Sequence, residues 1–189
     1  MLSGPMPTFA PARVAAVCAV ALALSSGCLY AELGGSSVSP LGDLKHRDGE
    51  SSASIGVAAE IPYPGHPRGI RLAVGGGGSC CTAVATDGNT SQHATGPLVL
   101  RLDITVLAHR NIYLRATGMG ELRLDPRTWS EEPSGFLFGP TLTSGDEDLA
   151  LQFTFGARWT RLPDAEDRFG IQLRLSVDVD LLAALSGDS

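Results

Sequence analysis

Leu149–Trp159, LALQFTFGARW, and Phe169–Val179, FGIQLRLSVDV, decide how this chain folds. In the first stretch Leu149, Leu151, Phe153, Phe155, Ala157 and Trp159 alternate with Gln152, Thr154, Gly156, Arg158 and Thr160. In the second, Phe169, Ile171, Leu173, Leu175, Val177 and Val179 alternate with Gln172, Arg174, Ser176, Asp178 and Asp180. A period of two over such lengths means strands with one apolar and one polar face. Pairing Trp159 with Phe169 across a turn near Pro163–Glu166 sets Phe155 against Leu173 and Phe153 against Leu175, and keeps every apolar residue on one face.

The same period extends upstream. Leu98–Ala108 and Ile112–Ala116 alternate, with a turn at His109-Arg110-Asn111 placing Val106 against Leu114 and Asp103 diagonal to Arg115. A loop at Ser144-Gly145-Asp146-Glu147 would set Leu142 against Leu149, Phe138 against Phe153 and Phe136 against Phe155. Weaker copies occupy Ala53–Ile61 and Gly69–Val74. The expected fold class is all-β: one antiparallel up-and-down β-barrel of about seven or eight strands, since closure removes the exposed edges that long strands leave. A two-sheet sandwich is the alternative.

Three segments read as soft. Cys28–Ser54 is rich in Gly, Ser and charge without an apolar period, Gly75–Gly96 is dense in turn formers, and Asp125–Gly135 reads DPRTWSEEPSG. The expected organisation is therefore a signal peptide over 1–27, a flexible tether over 28–51 and the barrel over 52–185.

Residues 1–11 hold no acid, Arg13 is the only charge before the apolar run Val14–Leu24, and Ser25-Ser26-Gly27-Cys28 follows. A basic start, a short apolar run and small residues at a cut point make a secretory signal. The run falls short of the ~20 apolar residues that cross a bilayer as a helix. Leu24-Ser25-Ser26-Gly27-Cys28 resembles the lipobox of bacterial lipoproteins, with Ser25 where Leu is commoner. The resemblance implies cleavage before Cys28, acylation of that cysteine (diacylglycerol on sulfur, a palmitate-type chain on the new amine) and, with Leu29 rather than Asp next, sorting to the outer membrane. An ordinary signal cut before Cys28 also suits Ser25-x-Gly27.

Removing 1–27 leaves 162 of the 189 residues and moves the formal charge from −6 to −7. An acidic domain with one lysine, Lys45, lacks the clustered cations of a nucleic-acid binder. The expected partners are the membrane, through the N-terminal lipid, and a small hydrophobic ligand or envelope proteins. No nucleic acid and no cofactor is expected.

The direction of the apolar face separates two functions. Facing inward, it makes a soluble barrel resembling the lipocalin type, with an apolar interior for a small ligand. Facing outward, it makes a barrel resembling small outer-membrane barrels, with lipid outside and a polar plug inside. Arg168–Leu175, RFGIQLRL, resembles the assembly signal of that second group, although Ser176–Ser189 follow it. A lipid anchor serves a domain that would otherwise diffuse away. The sequence expectation is therefore a lipid-anchored outer-membrane protein, periplasm-facing or surface-exposed, with a tethered barrel of structural or ligand-binding role and no enzyme activity. The alternative is an integral outer-membrane barrel, a membrane-structural protein or narrow channel.

Candidate chemistry is sparse. His46, His66, His93 and His109 are scattered, without the i, i+4 spacing of a metal-binding helix. Cys80 and Cys81 are adjacent and close no loop, and with His93 they match no standard zinc spacing. Asp146-Glu147-Asp148 lacks the spaced oxygen ligands of a calcium loop. Gly75–Gly78 precedes no Lys-Ser or Lys-Thr helix, and there is no Gly-x-Ser-x-Gly elbow. Asp103, Arg115, Arg158 and Arg174 read as ion-pair partners on the water-facing side of a soluble barrel, where such pairs are worth ~0–1 kcal/mol.

Overall fold

A computed structural model describes residues 28–41, 48–64, 66–84, 90–123, 125, 127, 133–145, 149–162 and 166–180. Nine strands form in it: β1 (Cys28–Pro40), β2 (Asp48–Tyr63), β3 (His66–Val84), β4 (Thr90–Ala94), β5 (Leu98–His109), β6 (Ile112–Leu122), β7 (Ser134–Gly145), β8 (Leu149–Arg161) and β9 (Arg168–Asp180). Every pairing is antiparallel, and β1-β2-β3-β5-β6-β7-β8-β9 closes on itself through the β9–β1 and β2–β3 ladders. The expected all-β up-and-down barrel is thus what forms, with eight strands in the wall.

The register can be followed once round the wall. From Cys28 the paired residues run through Ala58, Ala73, Arg101, Met119, Leu137, Arg158 and Gly170, and the path returns to β1 at Val38, ten residues further along. A stagger of that size goes with strands tilted ~35–45° to the axis and an interior that side chains can fill.

The tether expected over 28–51 is instead strand through β1 and the start of β2. Cys28–Pro40 pairs with β9 along its whole length and with β2 from Cys28 to Val38. Its Gly and Ser residues show no apolar period because the loop-side half of this wall is small on both faces; backbone bonds on both edges order it, so tertiary context overrides strand propensity. The loop expected at Gly75–Gly96 is likewise mostly strand. There β3 leaves β5 after Gly76 and takes β4 as its partner from Cys80. Gly77 and Gly78, at φ +152° and +149°, make this switch, and a Cβ on Gly77 would sit 2.1 Å from the Ala53 carbonyl oxygen.

Register expectations divide. The β8–β9 pairs Trp159–Phe169, Phe155–Leu173 and Phe153–Leu175 form as read. In β5–β6, Thr105 pairs with Arg115, which leaves Asp103 diagonal to Arg115, but Leu107 rather than Val106 meets Leu114 because the ladder shifts between Thr105 and Leu107. In β7–β8, Leu142 pairs with Phe153, Phe138 with Ala157 and Phe136 with Trp159, because both strands run on to a Gly145–Ala150 pair.

The two ends of the barrel differ. The strand ends Tyr63 and His66, His109 and Ile112, and Gly145 and Leu149 lie at the end that holds Cys28 and Asp180 (the turn end), whereas Pro40 and Asp48, the β3–β4 extension, Leu122 and Ser134, and Arg161 and Arg168 lie at the other (the loop end). Among the described residues no helix is long and apolar enough to cross a membrane.

Candidate functional site

The alternation decides what lies inside. Leu102, Phe153 and Leu173 are 41, 48 and 46% exposed on the outer wall, whereas Arg71, Arg101, Asp103, Glu121, Arg158 and Arg174 are buried in the lumen. The expectation of an apolar interior for a hydrophobic ligand is overturned, and with it the water-facing position given to Asp103, Arg115, Arg158 and Arg174. Inside, each of these charged groups meets a partner from another strand.

The lumen holds one continuous chain of opposite charges: Asp178–Arg71–Asp103–Arg101–Glu32–Arg174–Glu121–Arg158–Glu50. Arg71 grips Asp178 through Nε (2.7 Å) and Nη2 (2.9 Å) and reaches Asp103 through Nη1 at 3.0 Å. Arg101 donates from Nε to Asp103, from Nη1 to Glu32 and from Nη2 to Thr141, Gln152 and Thr154. Arg174 bridges Glu32 and Glu121. Glu121 also accepts from Ser79 Oγ (2.9 Å), Thr95 Oγ1 (2.6 Å) and Arg158 Nη2 (2.8 Å). Arg158 Nε ends the chain on Glu50, which Ser36 and Thr160 also bond. Further pairs lie apart from the chain: Arg115 with Glu60 and Arg168 with Asp48.

Such a network is stable only if nearly complete, because a buried charge that loses its partner costs several kcal/mol. Hydroxyls fill further acceptor and donor sites: Thr117 donates to Asp103 at 2.6 Å, and Thr117–Thr141 and Thr141–Thr154 are hydrogen-bonded at 2.6 and 2.7 Å, whereas Arg158 Nη1 and Arg174 Nε are buried without a hydrogen bond. Two small apolar clusters complete the interior, Val99–Met119–Leu137 and Tyr30–Ala58–Ala73. Some pairs reach across the lumen, as Arg71 of β3 to Asp178 of β9 and Arg158 of β8 to Glu50 of β2, strands three apart round the wall, show. Chemically this is a plug: its carboxylates are engaged by arginines.

Cys28, the expected lipidation site, is the first residue of β1 at the turn-end rim, and its side chain packs against the Tyr30–Ala58–Ala73 cluster. Cys80 is exposed on β3 and is a free thiol. His109 is exposed at the end of β5. His46 and Asp146-Glu147-Asp148 lie outside the described residues, as do the side chains of Cys81, His66 and His93. Among the described residues no three His, Cys, Asp or Glu side chains are grouped to hold a metal ion. Sequence reading missed Glu32 and Glu50, which sit in the supposed tether, and Arg71 and Glu121, whose strands alternate weakly.

Compared with known proteins, the chain matches no family model, no curated protein and no solved structure.

Proposed function

We propose that this protein is an integral outer-membrane β-barrel with a plugged lumen and a structural, non-catalytic role. The observation that carries the reading is the inversion of the wall, with Leu, Ile, Val and Phe outside and an ion-paired lumen inside. An apolar surface running round most of a barrel far exceeds the few hundred Å² that soluble monomers expose, and it suits hydrocarbon. Strands β5–β9 are 11 to 13 residues long, against the ~9–11 that a tilted strand needs to span a bilayer. Short turns at one end and longer loops at the other match the periplasmic and outer ends of such barrels. Cys28 then lies at the periplasmic rim, and a lipid there adds to an anchorage that the wall already provides.

The test is extraction after Cys28→Ala. The variant is expected to stay in the membrane pellet through carbonate and urea and to change gel mobility on boiling. Release into the periplasm would overturn the reading and restore the tethered soluble domain. Palmitate labelling of the unaltered chain, lost in Cys28→Ala, tests the lipobox separately.

A further inference from the structure

The outer wall is not uniformly ridged. On two successive rungs a glycine of β6 stands between large residues of its neighbours: Leu100–Gly120–Phe136 and Leu102–Gly118–Phe138. The result is a furrow along β6, walled by leucine on one side and phenylalanine on the other, within a hollow of about 470 Å³ that also reaches Leu72 and Val74 of β3. Leu122, paired with Leu98, follows Gly120 on this face toward the loop end.

These glycines are not demanded by packing within the chain. A Cβ on Gly118 would meet Phe138 at 3.7 Å, and one on Gly120 would meet Leu122 at 3.7 Å and Phe136 at 3.8 Å, all ordinary contacts. By contrast, a Cβ on Gly139 would lie 2.2 Å from the Phe155 carbonyl oxygen, and one on Gly156 2.5 Å from that of Phe138. Neither φ at Gly118 nor at Gly120 is positive. The Phe138 ring leans on the edge of Gly118 but stays 59% exposed, so it leaves the furrow open.

Width selects the occupant. The strands that carry the walls, β5 and β7, are two spacings of ~4.7–4.9 Å apart, and their side chains narrow the gap further. A helix with its side chains is ~10–12 Å across and cannot enter. A single row of methylenes can. We infer that this furrow seats one acyl chain of a membrane lipid, in the loop-side half of the wall and hence the outer leaflet. The inference rests on the membrane reading proposed above.

The test uses the full barrel in nanodiscs of dimyristoylphosphatidylcholine, released into the gas phase for native mass spectrometry. The wild-type barrel is expected to retain one lipid. Gly118→Leu with Gly120→Leu, which fills the furrow, is expected to lose that adduct at least tenfold, while Ser144→Leu, exposed on the turn-side end of β7 and away from the furrow, keeps it. Should the leucine pair fail to fold, Gly118→Ala with Gly120→Ala makes the furrow shallower without a clash and is expected to lower retention severalfold. Equal adducts in wild type and the folded furrow variant would overturn the inference, as would their absence from wild type. A wild-type dimer that the furrow variants convert to monomer would assign the furrow to a second copy and equally overturn it. Boiling-dependent gel mobility is read on the same samples. A barrel that shows it but no furrow-dependent lipid sinks this inference alone, whereas one that never enters the nanodisc sinks the membrane reading with it.

Discussion

Arg71 on β3 and Asp178 on β9, 107 residues apart in sequence, meet inside the barrel through two parallel hydrogen bonds of 2.7 and 2.9 Å. Arg71 also places its guanidinium 5.3 Å from the centre of the Tyr30 ring. This pair begins the chain of charges that runs to Glu50. Removing one member strands another in a buried site. Arg71→Met is therefore expected to destabilise the barrel by ~3–5 kcal/mol, and Arg71→Met combined with Asp178→Leu to recover much of that loss. Urea titration of the barrel in lipid vesicles measures both. A double variant no better than the single one would show that Asp103, not Asp178, is the partner that matters.

The outer wall gives a depth-dependent expectation. Leu173 lies midway along β9, and Leu149 lies at the turn-end rim of β8. Arginine at the bilayer midplane of a barrel costs ~2–4 kcal/mol and near the interface ~0–1 kcal/mol. Leu173→Arg is expected to fall in the first range and Leu149→Arg in the second, by the same titration. Equal, small costs would mean that water and not lipid bathes this wall.

The plug has an electrical consequence. Arg101 and Arg174 both bond Glu32 and so tie the two halves of the charge chain together. The unaltered barrel in a planar bilayer is expected to show no steady conductance. Arg101→Ala with Arg174→Ala removes two of the lumen cations and leaves Glu32 without an arginine, while Asp103 and Glu121 keep only Arg71 and Arg158, so any leak should favour cations. Steady ohmic current through the unaltered barrel would instead support a narrow channel.

Orientation can be read with thiols. Cys80 is exposed toward the loop end, and Asn111 lies in a turn at the opposite end. In a Cys81→Ser background, a membrane-impermeant maleimide is expected to label Cys80 on intact cells. Asn111→Cys, with Cys80 and Cys81 replaced by Ser, should react only after the outer membrane is opened. The reverse pattern would invert the barrel.

The sequence by itself determined the period of two, the antiparallel order and a common face for most apolar residues of β5–β9; Val99, Met119 and Leu137 lie on the other face, inside. Alternation specifies that much, because a one-residue slip moves a whole strand's side chains to the wrong side. It also led to the correct β8–β9 register. It could not settle β7–β8, where the observed pairs differ from the expected ones by an even number of residues: such a shift leaves each side chain on its face, and only the strand ends at Gly145 and Ala150 choose between the two. Alternation is equally blind to inside and outside, since it is the same pattern whichever face encloses the lumen. Tertiary structure decided that by bringing Glu32, Glu50, Arg71 and Glu121 to Arg101, Arg158, Asp103 and Arg174. Three of those acids and arginines stand in stretches whose Gly and Ser content masks the period (Glu32 and Glu50 in the supposed tether, Glu121 beside Gly118 and Gly120), and a buried charge needs a partner, which for Glu32, Glu50 and Glu121 arrives from a strand far away in the chain.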